Sequence, residues 1–295
     1  MAMVIRRPEP IMRQEKLGNS RMRILLRKYH IFTHMALLVS ILIVGAPLIF
    51  GFIISTQSPT EVFSYPPRLI PGSHYSNYQK AWSQVSLGRM MFNSTFCAVM
   101  VGVGKFIISV LAAFAFSHFK FKGKQFWFLL ILITLMLPIP VRIVPLFEIV
   151  SNLKWVDTYW GLIVPFLASA TGTFLFRQHF MTIPHELADA AKIDGCGPMR
   201  FLFQILIPLS KNTIGAFAVI EFVYIWNQYL WPLIVINSER MQVVQIGIKM
   251  LISTEAMNNW GVIMAGVLIA AIPPLIVFFV MQKSFMKGFG FMKEK

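Results

Sequence analysis

Glu186–Ser210, ELADAAKIDGCGPMRFLFQILIPLS, is a polar, helix-prone interruption between strongly apolar segments, and its reading decides the fold. Two short helices are expected from it. Thr182 is placed to N-cap the first, with Pro184 in the first turn. Glu186 and Asp189 suit the positive end of its dipole, and Gly195 suits its terminus. Gly197-Pro198 then turns the chain into the second helix. Leu187, Ala190, Ala191 and Asp194 recur at i, i+3, i+4 and i+7, which gathers one mostly small face able to enter a partner's cleft. On helix chemistry alone the segment equally suits a loop helix lying on a membrane surface.

The flanking segments are long and apolar. Apolar residues make up 56% of the 295 and the mean hydropathy is +0.65, against roughly 45–50% apolar content in soluble domains. An all-α integral membrane protein is expected, with six transmembrane helices near 35–55, 92–117, 126–150, 158–176, 212–236 and 260–282, each close to the roughly 20 residues a bilayer needs. Residues 57–90 hold Pro59, Pro66, Pro67, Pro71 and Gly72 and are too polar to span; they read as an external loop with one amphipathic helix near 78–85. The first run could serve as an uncleaved signal anchor, since no convincing small-residue cleavage site follows Ser58-Pro59.

The net charge of +15 does not indicate nucleic acid, because the basic residues sit beside apolar runs and are not grouped with aromatics on one soluble module. Their distribution fits positive-inside topology. Residues 1–34, Lys120 to Lys124, Arg177 to Lys211 and 283–295 together carry 19 Lys and Arg, the opposite side carries six, and Lys105 and Arg142 fall within spans. Both termini and the loop are therefore expected in the cytoplasm. The expected organisation is a basic arm over 1–34, a six-span domain over 35–282 with a cytoplasmic loop at 182–210, and a tail over 283–295. Cys97 and Cys196 fall in a span and in the loop, on this topology in different compartments, so no disulfide is expected.

Ionisable groups at membrane depth cost about 2.5–3.5 kcal/mol each on insertion scales and are candidates for function. Lys105, Arg142 and Glu221 qualify, with Glu148 near a span end; an internal ion pair or a contact with a partner subunit is the plainer reading of each. Arg142 lies in TLMLPIPVRIVP, Thr134 to Pro145, whose prolines remove backbone donors and leave carbonyls tolerable only against protein or a watery cavity. A broken third span beside a pathway is expected. Arg142 there could fork onto an anionic cargo group or bind carbonyls freed by the kink.

In the fifth span, EFVYIWNQYLWP, Glu221 to Pro232, puts amides and aromatics at membrane depth. Glu221, Trp226, Asn227, Gln228 and Tyr229 read either as a polar helix interface or, with Arg142, as a translocation wall suited to a polyol or sugar. The small run Ala168 to Thr173 favours close helix packing. Gly102-Val103-Gly104-Lys105 lacks the upstream glycine and the Ser or Thr of a phosphate loop, and His185-Glu186 lacks the second His of a zinc helix. Asn93-Ser94-Thr95 matches a glycosylation sequon at a span entrance. No catalytic set, metal site or cofactor site is expected, so the energy for active transport must come from a partner or an ion gradient.

Asp189-Ala190-Ala191, Gly195 three residues after Lys192, and Ile205, Ile207 and Pro208 resemble the "EAA" signature of ATP-binding-cassette importer permeases, with Asp189 at the position of the family's leading Glu. The resemblance extends through Leu69 to Gly72 (LIPG), the TLMLP segment with Arg142, Ala170 to Met181 (ATGTFLFRQHFM) and WNQYLWP, where Gln228 replaces a frequent Glu or Asp. It points to the maltose-type carbohydrate family and, within it, to sn-glycerol-3-phosphate import. It implies a type I importer permease fold in which Glu186, Asp189, Ala190, Ala191, Asp194 and Gly195 form a coupling helix on an ATPase subunit. It further implies a second permease subunit, two ATP-binding-cassette ATPase subunits that hold ATP and Mg, and an extracytoplasmic solute-binding protein, all at a bacterial cytoplasmic membrane. By the same analogy the loop from Asn237 to Asn259 probes the binding protein's cleft. A sugar cargo stays open within the class. Outside it, a gradient-driven transporter with Lys105, Arg142 and Glu221 as a charge relay stays open too.

Overall fold

Apolar runs of this length have no water in a bilayer to satisfy their backbone groups, so they close their own hydrogen bonds as helices. In the computed structural model, which describes residues 11–255 and 259–290, three such helices run without a sharp bend, at Ile31–Ser55, Leu87–His118 and Trp260–Met286. Three bent pairs also have the length and composition of a span. Lys124–Met136 meets Pro140–Asn152 at 104°, Tyr159–Phe166 meets Ala170–Thr182 at 41°, and Pro198–Leu209 meets Lys211–Trp226 at 78°. Counting each pair as one span raises the number from three to as many as six, although the last pair takes in part of the 182–210 loop and does not coincide with the expected 212–236; no strand occurs among the described residues.

Prolines set the breaks. Pro138 stands in extended geometry between the halves of the third span, with Pro140 in the first turn of the second half. Pro165 lies in a short 3-10 turn, after which Ser169 restarts the fourth span by accepting from the Gly172 amide at 3.1 Å. Pro208 cannot donate to the Gln204 carbonyl, and the helix widens to π geometry over Leu202–Leu206 just ahead of it.

Two expected boundaries move. The fifth span is not one helix over 212–236, because Lys211–Trp226 ends at Asn227 and a new helix begins at Leu230–Val235. Pro232 would break a continuous helix by its missing amide and its clash with the Gln228 carbonyl, but it fits the first turn of a restarted one. The first helix runs unbroken from Ile11 to Ser55, so the boundary at residue 34 falls inside a helix. Residues 1–10 of the expected arm and 291–295 of the expected tail lie outside the described residues.

The segment 57–90 carries helices Pro59–Val62 and Ser76–Gln84 and is pinned to the first span by buried polar groups. Gln57 donates to the Arg68 and Ile70 carbonyls at 2.8 and 2.9 Å, and Asn77 donates to those of Ser55 and Gln57 at 2.9 Å each. Gly72 passes so close that a Cβ there would sit 2.3 Å from the Thr56 carbonyl oxygen.

Two apolar clusters fill the bundle. One surrounds Trp226, Trp231, Leu87 and Leu251, and the other, nearer the 182–210 loop, surrounds Phe176, Phe180, Leu202 and Leu206. The small run expected to allow close packing does so, since a Cβ on Gly172 would lie 2.4 Å from Ser109 Oγ and 2.7 Å from the Phe217 ring.

Candidate functional site

The breaks in the third and fourth spans open toward the same space, a cavity of about 450 Å³ within the spans. Leu137 and Pro138 approach it from one break and Ala168 and Ser169 from the other, which gives carbonyls freed from helical pairing a polar surrounding. The second span contributes Lys105 and the fifth contributes Glu221 and Tyr224. Of the expected wall residues, the structure brings Arg142 and Glu221 to this cavity together with Lys105.

Lys105 and Glu221 form an ion pair with Nζ 2.5 Å from Oε2, and both side chains are about one-twentieth exposed. The ammonium also stands 4.7 Å from the centre of the Tyr224 ring, and Ser169 Oγ donates to Glu221 Oε1 at 3.3 Å. Two residues 116 positions apart are thus neutralised by each other, the plainer of the readings open from sequence. Arg142 differs, because among the described residues it has no hydrogen bond or ion pair. With Lys105 cancelling Glu221, the cavity wall keeps one uncompensated cation.

Trp226, Asn227, Gln228 and Tyr229 do not line this cavity. Trp226 is buried and stacks on Phe222 at 5.6 Å, Asn227 accepts from Gln245 Nε2 at 3.3 Å, Gln228 donates to the Tyr224 carbonyl at 3.4 Å, and Tyr229 packs on the apolar core. Tyr224, Ser169 and Thr171 also line it; the sequence places Ser169 and Thr171 only in a close-packing run and gives Tyr224 no role. A legible signal existed for Tyr224 alone, which follows Glu221 by three and so shares its face.

At the 182–210 loop, helix His185–Ile193 is present, but Thr182 is not its N-cap. It ends the preceding helix and its hydroxyl donates back to the His179 carbonyl at 2.7 Å, while Pro184 takes the cap position. Gly195 terminates the helix at φ +72°, with its own amide on the Lys192 carbonyl and the Cys196 amide on Ala191, the paired bonds of a Schellman stop.

Of the expected face, Leu187, Ala190 and Asp194 are exposed and Ala191 turns inward. Ala191 is buried with Ala188 against the chain's own cluster around Phe180 and Phe201, whereas Glu186, Asp189, Ala190 and Asp194 are exposed. Ile193, 87% exposed, joins them. Glu186, Asp189, Ala190 and Ile193 also follow i, i+3, i+4 and i+7, so two overlapping stripes share the helix, and packing removes only Ala191 from the exposed surface. Asp189 pairs with Lys192 at 3.1 Å on the surface.

On the other side of the bundle, the segment from Asn237 is not a free loop. It forms a 3-10 turn and the helix Val244–Glu255, whose Val244 and Leu251 are fully buried. Asn93 donates to the Arg240 and Gln242 carbonyls at 2.9 Å each and is 2% exposed, so the sequon asparagine is a packing element. Asp157 holds the segment's start, accepting from the Asn237 and Ser238 amides and the Ser238 hydroxyl at 2.8–3.1 Å. The Ser238 amide is the main reason its carboxyl lies below the ordinary Asp value.

Residues 105–289 match the family described as binding-protein-dependent transport system inner membrane component. The chain is 44% identical over 270 residues to the sn-glycerol-3-phosphate transport system permease protein UgpE of Pectobacterium atrosepticum, covering 89% of this chain and 96% of the relative. The protein of that name from Rhizobium meliloti is also 44% identical, over 86% of this chain and 94% of the relative. Among solved structures, a chain of a bacterial ABC transporter involved in the import of the acidic polysaccharide alginate superposes with a TM-score of 0.76. It is 24% identical, and the match covers 87% of this chain and 96% of that one. A second alginate ABC transporter structure, in complex with an alginate pentasaccharide-bound periplasmic protein, gives 0.63 at 13% identity over 88% and 94%. The fold is that of type I ABC importer permeases.

Proposed function

The chain belongs to the binding-protein-dependent transport system inner membrane component family, and on that premise we propose that it forms half of the translocation pathway of an ATP-driven importer of sn-glycerol-3-phosphate. Membership sets aside the gradient-driven alternative. The observation that carries the cargo is Arg142, an uncompensated guanidinium on a cavity within the spans beside a self-neutralised Lys105–Glu221 pair. A guanidinium forks onto phosphate oxygens, and in a site of lowered dielectric its charge discriminates strongly between a phosphate ester and a neutral sugar. The 44% relatives named for this cargo support the same reading.

In this reading a second permease subunit completes the pathway, and a solute-binding protein delivers cargo on the side of the Asn237 to Asn259 segment. Two ATPase subunits holding ATP and Mg dock on the cytoplasmic loop, and hydrolysis resides on them. Both termini are cytoplasmic. Glu186, Asp189, Ala190, Asp194 and the exposed Ile193 face the ATPase, while Ala191 and Gly195 hold the coupling helix to its own chain. ATP-driven closure then moves that helix, and its packing on Phe180 and Phe201 transmits the motion to the spans.

The test is ATPase activity of the complete complex in lipid with its binding protein, titrated with sn-glycerol-3-phosphate and with maltose-like sugars. Stimulation by the phosphate ester alone is expected, and its loss of effect in Arg142→Gln with assembly retained. Stimulation by sugar alone keeps the importer class and rejects the cargo. Loss of assembly in Arg142→Gln assigns the arginine to structure.

A further inference from the structure

The cavity holds a second polar group whose hydrogen-bonding capacity is not filled. A carboxylate offers about four lone-pair sites. Glu221 uses Oε2 for Lys105 at 2.5 Å, but Oε1 accepts only from Ser169 Oγ, at 3.3 Å, which is long for a hydroxyl on a carboxylate. Ser169 is itself committed, since its Oγ caps the Gly172 amide. The carboxylate therefore borders a cavity with acceptor capacity to spare and cannot leave its position, because Lys105 is held between it and the Tyr224 ring. Glu221 and Arg142 line the same cavity, with Tyr224 on its wall as well, so the acceptor and the free cation face one space.

Resting on the cargo reading above, we propose that Glu221 Oε1 reads the hydroxyl groups of the cargo while Arg142 takes its phosphate, which makes the site selective for phosphomonoesters of small polyols over phosphate esters without hydroxyls. Lys105 and Ser169 are positioning residues. Lys105 fixes the carboxylate and cancels its charge, so that it accepts a hydroxyl without repelling the anion beside it.

The experiment is calorimetric binding to the complete complex in nanodiscs without the binding protein, comparing sn-glycerol-3-phosphate with propyl phosphate, which has the phosphate and no hydroxyl. The wild type is expected to prefer the former by about ten- to a hundredfold, the worth of one hydrogen bond to a charged acceptor. In the paired variant Lys105→Met with Glu221→Met that preference falls to about one while propyl phosphate still binds. Glu221→Asp keeps both charges but withdraws the acceptor, and lowers the preference in the same direction. A wild-type preference near one, or a preference unchanged in both variants, overturns the proposal while leaving the cargo reading intact. Binding of a neutral sugar with neither phosphate bound overturns both.

Discussion

Breaking the Lys105–Glu221 pair from one side should cost far more than removing it whole. Each side chain is about 5% exposed, so Lys105→Met leaves a carboxylate, and Glu221→Met an ammonium, with little water to replace the lost partner. Removing one member of a buried pair costs about 3–5 kcal/mol, and the lower end is expected here because the pair borders a cavity that admits some solvent. Replacing both by apolar residues of similar volume is about neutral, and in other buried pairs has been stabilising by about 1–4 kcal/mol. The surface pair Lys192–Asp189, at 74% and 69% exposure, supplies an internal control whose worth is about 0–1 kcal/mol. The assay is thermal melting of the complete complex in nanodiscs, with recovery of assembled complex measured in parallel. Both single variants at Lys105 and Glu221 should melt well below wild type and the double variant near it, while Lys192→Met should be nearly silent. Single variants at Lys105 and Glu221 as mild as Lys192→Met would falsify the claim that the pair is desolvated.

Ile193→Ser should leave the melting of the chain within about 0.5 kcal/mol of wild type, because the side chain is exposed, yet lower ATPase co-purification. Ala191→Leu should do the reverse, losing about 1–3 kcal/mol by overpacking against Phe180 and Phe201; equal effects of the two on assembly would refute the outward face assigned here. Gly72→Ala puts a methyl 2.3 Å from a backbone oxygen and should destabilise the 57–90 segment, read as earlier proteolysis within 57–75. The Asp157 carboxyl is depressed by the Ser238 and Asn237 amides, so its hold on that segment is present above the ordinary value of 3.8 and fades only as pH falls below it through the depressed folded value. Hydrogen exchange at Ser238, corrected for intrinsic rate, should show protection lost below pH 3.8, and Asp157→Asn should remove that dependence.

What the amino-acid sequence determines alone is whatever depends on local composition. Six apolar runs must be helices because a bilayer offers their backbones no other partner, the clustered prolines between Thr134 and Pro145 must break one of them, and Gly195 must end the loop helix because φ +72° suits glycine. Tertiary structure alone decided which polar groups meet. Lys105 and Glu221 lie 116 residues apart and nothing in either neighbourhood names the other, so their pairing, and with it the isolation of Arg142 as the free cation, follows only from how the second and fifth spans cross. The same holds for the two stripes on the 185–193 helix. Periodicity groups Ala191 with Leu187, Ala190 and Asp194, and only the cluster behind the helix turns Ala191 alone inward, because a residue is outward only relative to what packs behind it.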